Sequence, residues 1–371
     1  MGDEDCKRGG VRPLHALILA VGVLVAACGT RSVEVIDEAT IGGPGEAADS
    51  MAATSVSPTS TTSSIPPVTT STTSTTSTTT TTTTIPPLAF DAQGVPVNGQ
   101  SEGVVMTTTG WVVPVLGREG EGWRVWTPCG REGVVAAGEF VGGADFVLDP
   151  GHGGSEPGAV GPSGTREADI NLQVARRVRD VLEADGYSVV MTRDRDVRVP
   201  IVTRAEIALA LDPIANLSIH HNAGTESVST EPGTEMFFQL ASPESKRLAG
   251  LLFEETREFL DPLGSTWFAL DDADAMGREN RDGGDYYGVL RRPAGVTSVL
   301  AEFAYITNPV EEDLLNRADV QDGLAEAVRA AVDRFTGTAD PGSGFTLDPV
   351  FRGYGPSGAG RTTNCTDPAL Q

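Results

Sequence analysis

The segment DFVLDPGHGG, residues 145–154, joins a short apolar run to a glycine-rich loop. Its first four residues, Asp145–Leu148, have the apolar character of a buried strand, and the glycines that follow are typical of a loop. His152 therefore lies directly after a predicted strand, at the carboxyl edge where α/β sheets place their ligands. The glycines around it leave room for an ion and a substrate beside the imidazole.

Strands and helices alternate beyond this segment, within residues 143–337. Apolar runs predict strands at Tyr187–Met191, Ala215–Ile219, Met236–Leu240 and Val296–Phe303. Periodic apolar positions predict helices at Glu167–Asp185, at Thr203–Leu211, after Ser242-Pro243, and from Asn308-Pro309 to Phe335. The polar segment Asp271–Asp285 is predicted to be a loop that shapes a groove or covers it. This alternation predicts an α/β fold with a largely buried sheet.

Two further histidines, His220 and His221, end one of the predicted strands. Strand alternation turns His220 away from Ile219 and leaves His221 on the same side as Ile219. Glu167 begins a predicted helix, where an acid is also the ordinary choice because of the helix dipole. A single histidine at a strand end is more often a loop residue than a ligand. Together, His152, His220 and Glu167 offer two imidazoles and a carboxylate, a set that holds catalytic zinc and leaves a fourth position for water.

Four segments carry motifs in a fixed order: Asp149–Gly154, Glu167–Leu172, Ser218–Asn222 and Leu300–Pro309. Over about half of the chain they resemble the zinc-dependent N-acetylmuramoyl-L-alanine amidases of the type-3 class. The resemblance implies a mixed sheet flanked by helices, Zn²⁺ as cofactor, and His152, Glu167 and His220 as its ligands. It implies that Glu302 is the catalytic residue. The implied substrate is peptidoglycan, at the amide bond between N-acetylmuramic acid and L-alanine.

The arginines of the catalytic region are interpreted through the same resemblance. Arg291 matches a family position near the substrate groove, so we expect it to bind substrate. Arg193 and Arg204 match arginines common in the family, and a structural role suits both of them equally well.

Glu302 has an alternative interpretation, as one partner of a buried ion pair with Arg291 or Arg292. Such a pair has a desolvation cost in the apolar surroundings of this strand. The chain also departs from the family at two places. His221 stands where a small residue is usual, and Ala304-Tyr305 replace a Gly-Phe pair. These changes affect packing and substrate preference but leave the predicted metal ligands intact.

Residues 89–142 differ in character from the α/β region. Short β-rich runs at Gly103–Met106, Trp111–Leu116 and Trp123–Trp126 are separated by glycine-rich turns. This spacing predicts a small all-β barrel, which loosely resembles a bacterial SH3-like module. The module either binds wall peptides or acts as a spacer packed on the next domain.

The N-terminal region is typical of an exported lipoprotein. Residues 1–27 have basic residues before an apolar run, which predicts a signal peptide. The run ends in Leu24–Gly29, which resembles a lipobox with Cys28 as the lipidated residue; an ordinary signal peptide with a chance cysteine is the alternative. Residues 28–88 are rich in Ser, Thr and Pro and predict a disordered tether. We therefore expect an extracytoplasmic protein, anchored to the membrane through Cys28 and facing the cell wall.

Composition limits the partners of the chain. The net charge of −24 over 371 residues excludes nucleic acid, which is bound by Lys and Arg. Cys129 and Cys365 remain after the signal peptide and Cys28, and outside the cytoplasm they are expected to form a disulfide; two free thiols are the alternative. Residues 338–371 form a tail rich in Gly and Pro. We expect a monomer.

These observations favour a zinc amidase that cuts peptidoglycan during wall remodelling or cell separation. One alternative is an inactive wall-binding or activator lipoprotein, but the intact residues His152, Glu167, His220 and Glu302 speak against it. A second alternative is a zinc peptidase that acts on stem peptides. Only analysis of the products separates it from an amidase.

Overall fold

The computed structural model describes residues 101–224, 233–263, 274–346, 348–351, 353 and 365–371. The predicted signal peptide, the lipidated Cys28, the tether and residues 89–100 of the β module lie outside the described residues. Among the described helices, none has both the length and the apolar character needed to cross a membrane.

The described part of the β module is a five-stranded antiparallel sheet, with strand order β4-β3-β2-β1-β5. Its strands are β1 Val104–Thr107, β2 Val112–Glu119, β3 Gly122–Trp126, β4 Glu132–Val135 and β5 Gly138–Val141. Five valines form its core: Val105, Val113, Val115, Val125 and Val135. The C-terminal residues belong to this unit, because Cys365 forms a disulfide with Cys129 and Leu370 packs against the valines.

The remaining strands form a seven-stranded sheet of order β12-β10-β9-β11-β8-β6-β7. They are β6 Phe146–Pro150, β7 Val189–Met191, β8 Ala215–Asn222, β9 Glu235–Phe238, β10 Ala275–Glu279, β11 Ser298–Tyr305 and β12 Val350–Phe351. Neighbouring strands are parallel except for the antiparallel pair β9 and β11. The predicted α/β fold with a mixed, largely buried sheet is therefore confirmed.

Helices cover both faces of this sheet. They are α1 Glu167–Ala184, α2 Ile201–Leu211, α3 Pro243–Leu260, α4 Gly288–Arg291, α5 Pro309–Leu315 and α6 Ala318–Gly337. Helix α1 places Ile170, Val174, Val178 and Leu182 on one face at a spacing of one turn, and these residues join α3 and α6 in the main core. On the opposite face, Ile207 and Leu211 of α2 pack against Val147.

Three expectations from the sequence differ from the structure. The segment Asp271–Asp285, predicted as a loop, contains β10, whose short apolar start Ala275-Met276 is buried against β9. The predicted helical stretch to Phe335 is split into α5 and α6. The tail, for which only Cys365 suggested an anchor, also packs Phe345 on the core and adds β12 to the sheet. The first and the third depend on contacts between distant parts of the chain, which local patterns do not report.

Candidate metal centre

The sheet brings the predicted site residues to one edge. Strands β6, β8 and β11 run parallel, with Pro150 beside Ile219 and His220 beside Glu302. His152 follows two residues after the end of β6. The carboxyl ends of these strands therefore hold two histidines and a glutamate from three separate stretches of chain.

His152, Glu167 and His220 converge at this edge. His152 Nε2 lies 3.1 Å from Glu167 Oε2, and His220 Nδ1 lies 2.9 Å from Glu167 Oε1. One possible ligand atom from each residue lies within 4.8 Å of the other two. Among the described residues, this is the one cluster of three or more His, Cys, Asp or Glu side chains close enough to hold a metal ion. Two imidazole nitrogens and a carboxylate oxygen at these separations fit the ligand set of a catalytic zinc ion.

Glu167 is held in place by a shell of hydrogen bonds. Asn171, one helical turn further along α1, donates to Oε1 at 3.1 Å, and the backbone N–H of Ala159 donates to Oε2 at 2.9 Å. Burial alone would raise the pKa of Glu167, but hydrogen bonds from His152 and His220 outweigh it and hold the pKa well below its usual value. The carboxylate is thus ionised and oriented before any cation binds.

His221 does not join the cluster of His152, Glu167 and His220. Its side chain is buried, and its Nδ1 lies 2.7 Å from Asn171 Oδ1. His220 instead faces a cavity, so the two neighbours point in opposite directions, as strand alternation predicts. Burial lowers the pKa of His221 to about 3, and the ring is neutral at physiological pH. His221 therefore supports Glu167 in two ways: its side chain contacts Asn171, which donates to Glu167, and its backbone N–H donates to Glu167 Oε1 at 3.3 Å.

Two buried arginines fix the loop that carries His152. Arg204 donates to Asp149 Oδ1 at 2.6 Å and to the carbonyl oxygen of His152 at 2.7 Å. Arg193 donates to the carbonyl oxygens of Pro150 and Gly151. His152 itself has a φ of 60°, a backbone conformation that costs free energy and persists only where its surroundings impose it. Arg193 and Arg204 act here as structural residues.

Two glycines lie so close to His220 and Glu167 that a side chain at either glycine would clash with them. A Cβ on Gly151 would lie 2.1 Å from the ring of His220. Gly158 has a φ of 71°, and a Cβ there would lie 2.3 Å from Glu167 Oε2. Any larger residue at either position would displace His220 or Glu167.

A cavity of about 260 Å³ opens beside the ligands. His152, His220 and Glu302 form part of its wall. The remaining wall is largely apolar and includes Val199, Ile201, Tyr287, Val289 and Leu300. This combination of a polar group and an apolar wall is typical of sites that bind and orient a small substrate segment.

Glu302 lines this cavity and forms no ion pair among the described residues. Its Oε2 is buried and has no hydrogen-bond partner, and no arginine lies within ion-pair distance of it in the described part of the chain. Burial, followed by the negative charges of Glu167 and Glu235, raises its pKa well above the usual value, and Arg278 only partly opposes this. A buried ion pair with Arg291 or Arg292 is not observed.

Glu235 and Arg278 belong to the site but were missed in the sequence. Glu235 lies directly opposite Glu302 in the antiparallel pair of β9 and β11. Arg278 Nη2 lies 3.8 Å from Glu235 Oε1, and its guanidinium lies over the ring of Phe237 at 4.3 Å. A glutamate at the start of an apolar strand was the one local signal that could have indicated this pair.

Arg291 lies apart from the ligands. Its Nη1 donates to the carbonyl oxygens of Asp285 and Tyr286 at 2.7 and 2.9 Å, and the residue does not line the cavity. These bonds connect α4 to the segment before it. Its role in substrate binding stays a prediction.

Glu206 of α2 is a buried carboxyl group whose titration can be measured through the stability of the protein. It is 3% exposed, its Oε1 has no hydrogen-bond partner, and burial raises its pKa to about 7 although Arg292 opposes this. Because the folded pKa of Glu206 exceeds the unfolded value, the contribution of this group to stability is fully present below about pH 4 and is lost as the pH rises to 7. From pH 5 to 8.5, we expect the wild type to lose about 2–3 kcal/mol of unfolding free energy relative to Glu206→Gln.

This expectation is checked by urea unfolding of the two metal-free proteins at both pH values. Glu326→Gln, a change at an exposed position of α6, serves as the control and should follow the wild type. Parallel stability profiles for the wild type and Glu206→Gln would contradict a titrating buried carboxyl group at this position.

The chain is similar in sequence to known N-acetylmuramoyl-L-alanine amidases. The sequence profile of the N-acetylmuramoyl-L-alanine amidase family matches residues 146–334. The chain is 29% identical over 224 residues to N-acetylmuramoyl-L-alanine amidase AmiC of Neisseria meningitidis, which covers 52% of this chain and 53% of that protein. It is 32% identical over 219 residues to the uncharacterized protein YqiI of Bacillus subtilis, covering 57% of this chain and 97% of that protein.

The chain is also similar to solved structures of N-acetylmuramoyl-L-alanine amidases. N-acetylmuramoyl-L-alanine amidase AmiC2 of Nostoc punctiforme is 27% identical, with a TM-score of 0.44 and coverage of 52% of this chain and 96% of that chain. The chain spans about half the length of the AmiC proteins that it matches.

Proposed function

The chain belongs to the N-acetylmuramoyl-L-alanine amidase family, and on that premise we propose that it is a zinc-dependent peptidoglycan hydrolase. The proposed reaction cleaves the amide bond between the lactyl group of N-acetylmuramic acid and L-alanine of the stem peptide. The observation that carries this proposal is the convergence of His152, Glu167 and His220 beside Glu302, at the mouth of one cavity.

The cofactor would be held by His152 Nε2, His220 Nδ1 and the carboxylate of Glu167. These donors fit zinc because they are two imidazoles and one carboxylate, and the carboxylate is already oriented by Asn171 and by the backbone N–H of Ala159. When bound, zinc supplies Lewis-acid chemistry, which makes water a better nucleophile at neutral pH and polarises a carbonyl oxygen.

Glu302 would perform the proton transfers. Its Oε2 lacks a hydrogen-bond partner, which leaves it available to the attacking water. The carboxylate would accept a proton from that water and donate it to the amide nitrogen as the carbon–nitrogen bond breaks. Val199, Val289 and Leu300 would exclude bulk water from the reacting groups, which strengthens each electrostatic interaction there.

The remaining sequence predictions place this enzyme at the wall. Lipid on Cys28 would anchor it to the outer side of the cell membrane, as a monomer. A flexible tether of about 60 residues has an average reach of roughly 45 Å. The SH3-like module would either contact wall peptides or support the catalytic domain.

Digestion of purified peptidoglycan by the zinc-loaded full chain tests the proposal. We expect new N-terminal alanine on the released peptides, and no release after zinc chelation. New ends within the stem peptide would instead identify a peptidase. No release by protein with a full complement of zinc would favour an inactive binding protein.

A further inference from the structure

A second cavity, of about 400 Å³, lies between the two sheets. One wall comes from the small sheet and includes Trp111 and Val112. The other wall comes from Val189–Met191 of β7 and from Arg195, which follows that strand. None of the three candidate metal ligands lines it, so it is separate from the catalytic cavity.

Arg195 brings to this cavity a positive charge that has no ion-pair partner among the described residues. Its guanidinium lies 5.2 Å above the ring of Trp111, and its Nε is buried without a hydrogen-bond partner. In the part of the chain that is described, Arg195 has no ion-pair partner. A cation that is half-buried against an aromatic ring gains most from an anion that completes its hydrogen bonds.

The acidic residues of the cavity do not supply that anion. Asp194 lies 2.8 Å from Arg176 and 3.6 Å from Arg179. Glu183 lies one helical turn after Arg179 on α1. Asp194 is therefore directed at arginines other than Arg195, and neither acid forms an ion pair with Arg195 among the described residues, so Arg195 stays available to a ligand carboxylate.

The opposite wall offers backbone groups. Strand β7 is the last strand of its sheet and pairs only with β6 among the described strands. Alternate N–H and C=O groups of such an edge point away from the sheet and can pair with an added extended peptide. The cavity thus combines an open strand edge, an apolar wall and one free guanidinium, which suits an extended peptide that carries a carboxylate.

The second cavity lies within reach of the first. Val199, which lines the catalytic cavity, lies four positions after Arg195, so their Cα atoms are at most about 14 Å apart. An extended peptide of five residues spans about 17 Å. A wall polymer that carries short peptides at regular intervals could occupy both cavities at once.

We propose that this second cavity binds a stem peptide of peptidoglycan, extended along β7, with a peptide carboxylate held by Arg195. The proposal rests on the proposed function, because it assumes that the wall polymer is the substrate. It assigns to the β module a share in a substrate site, formed together with the catalytic domain.

Isothermal titration of the full chain with two synthetic stem peptides tests this. One peptide is L-Ala-γ-D-Glu-L-Lys-D-Ala with free carboxylates, and the other has the same sequence with carboxamides. We expect amidation to weaken binding by about tenfold or more, as for loss of a hydrogen bond to a charged group. Arg195→Ala should weaken binding of the free peptide by a similar factor and abolish the preference.

Arg118→Ala is the matched control. Arg118 also lies over a tryptophan, 4.8 Å from the ring of Trp123, but it does not line the cavity. This variant should bind both peptides as the wild type does. Equal binding of the two peptides by the wild type, no binding at millimolar peptide, or unchanged binding by Arg195→Ala would each overturn the proposal.

Cleavage of a small soluble muramoyl dipeptide separates this proposal from the proposed function. The dipeptide needs only the catalytic cavity, so Arg195→Ala should cleave it at the wild-type rate. If the wild type fails to cleave the dipeptide, the proposed function is refuted. The titration with free and amidated peptides does not depend on cleavage, so it still decides whether the second cavity binds a peptide carboxylate.

Discussion

Replacement of Glu302 by Gln is expected to lower the rate of amide cleavage by about 10²–10⁴-fold, the usual contribution of a general acid–base. The change keeps the size of the side chain and removes its ability to take a proton from water. Zinc content should not fall, because Glu302 is not among the three residues whose ligand atoms converge. The measurement combines kcat on soluble muramoyl peptide with zinc content of the purified variant.

Glu156→Gln is the control for this experiment. Glu156 lines the same cavity as Glu302, but its carboxylate pairs with Arg198 at 2.6 Å. Its loss should change kcat by less than tenfold, since it has no part in the proposed proton transfers. Wild-type activity in a zinc-loaded Glu302→Gln protein would remove Glu302 from the mechanism.

The local part of this site was predictable from the sequence. A glycine-rich loop after an apolar strand located His152, and alternation along the next strand separated the directions of His220 and His221. Both inferences use only residues that are neighbours in the chain, and strand geometry converts them directly into positions. Glu302 came instead from the family resemblance, because a glutamate between Leu300 and Phe303 has no local pattern of its own.

The long-range part was not predictable from one sequence. Glu235 neighbours Glu302 only because β9 runs antiparallel to β11, and no residue in either strand specifies that direction. The cavity beside Arg195 depends in the same way on where the small sheet packs against β7. Local patterns determine strands and faces, whereas the order of strands follows from packing of the whole core.

Replacement of Glu167 by Gln is expected to weaken zinc binding by at least 100-fold and to abolish cleavage at limiting zinc. The carboxylate lies within 3.1 Å of both histidines, and it carries the negative charge of the ligand set. An amide group would also place its NH₂ against the N–H donors of Ala159 or Asn171. Changes that only reorient a metal ligand cost about 10–100-fold in affinity, so loss of a ligand should exceed that range.

The Asp169→Asn variant is the control that separates zinc binding by Glu167 from stabilisation of helix α1 by an acidic residue in its first turn. Asp169 also lies in the first turn of α1, where an acid stabilises the helix through its dipole, but it pairs with Arg166 at the protein surface. Competition with a chromophoric chelator measures zinc affinity, and thermal unfolding of the metal-free proteins measures stability. The proposed metal centre would be wrong if both variants kept wild-type zinc affinity and lost the same small amount of stability. Glu167 would then be a first-turn acid that stabilises α1 rather than a metal ligand.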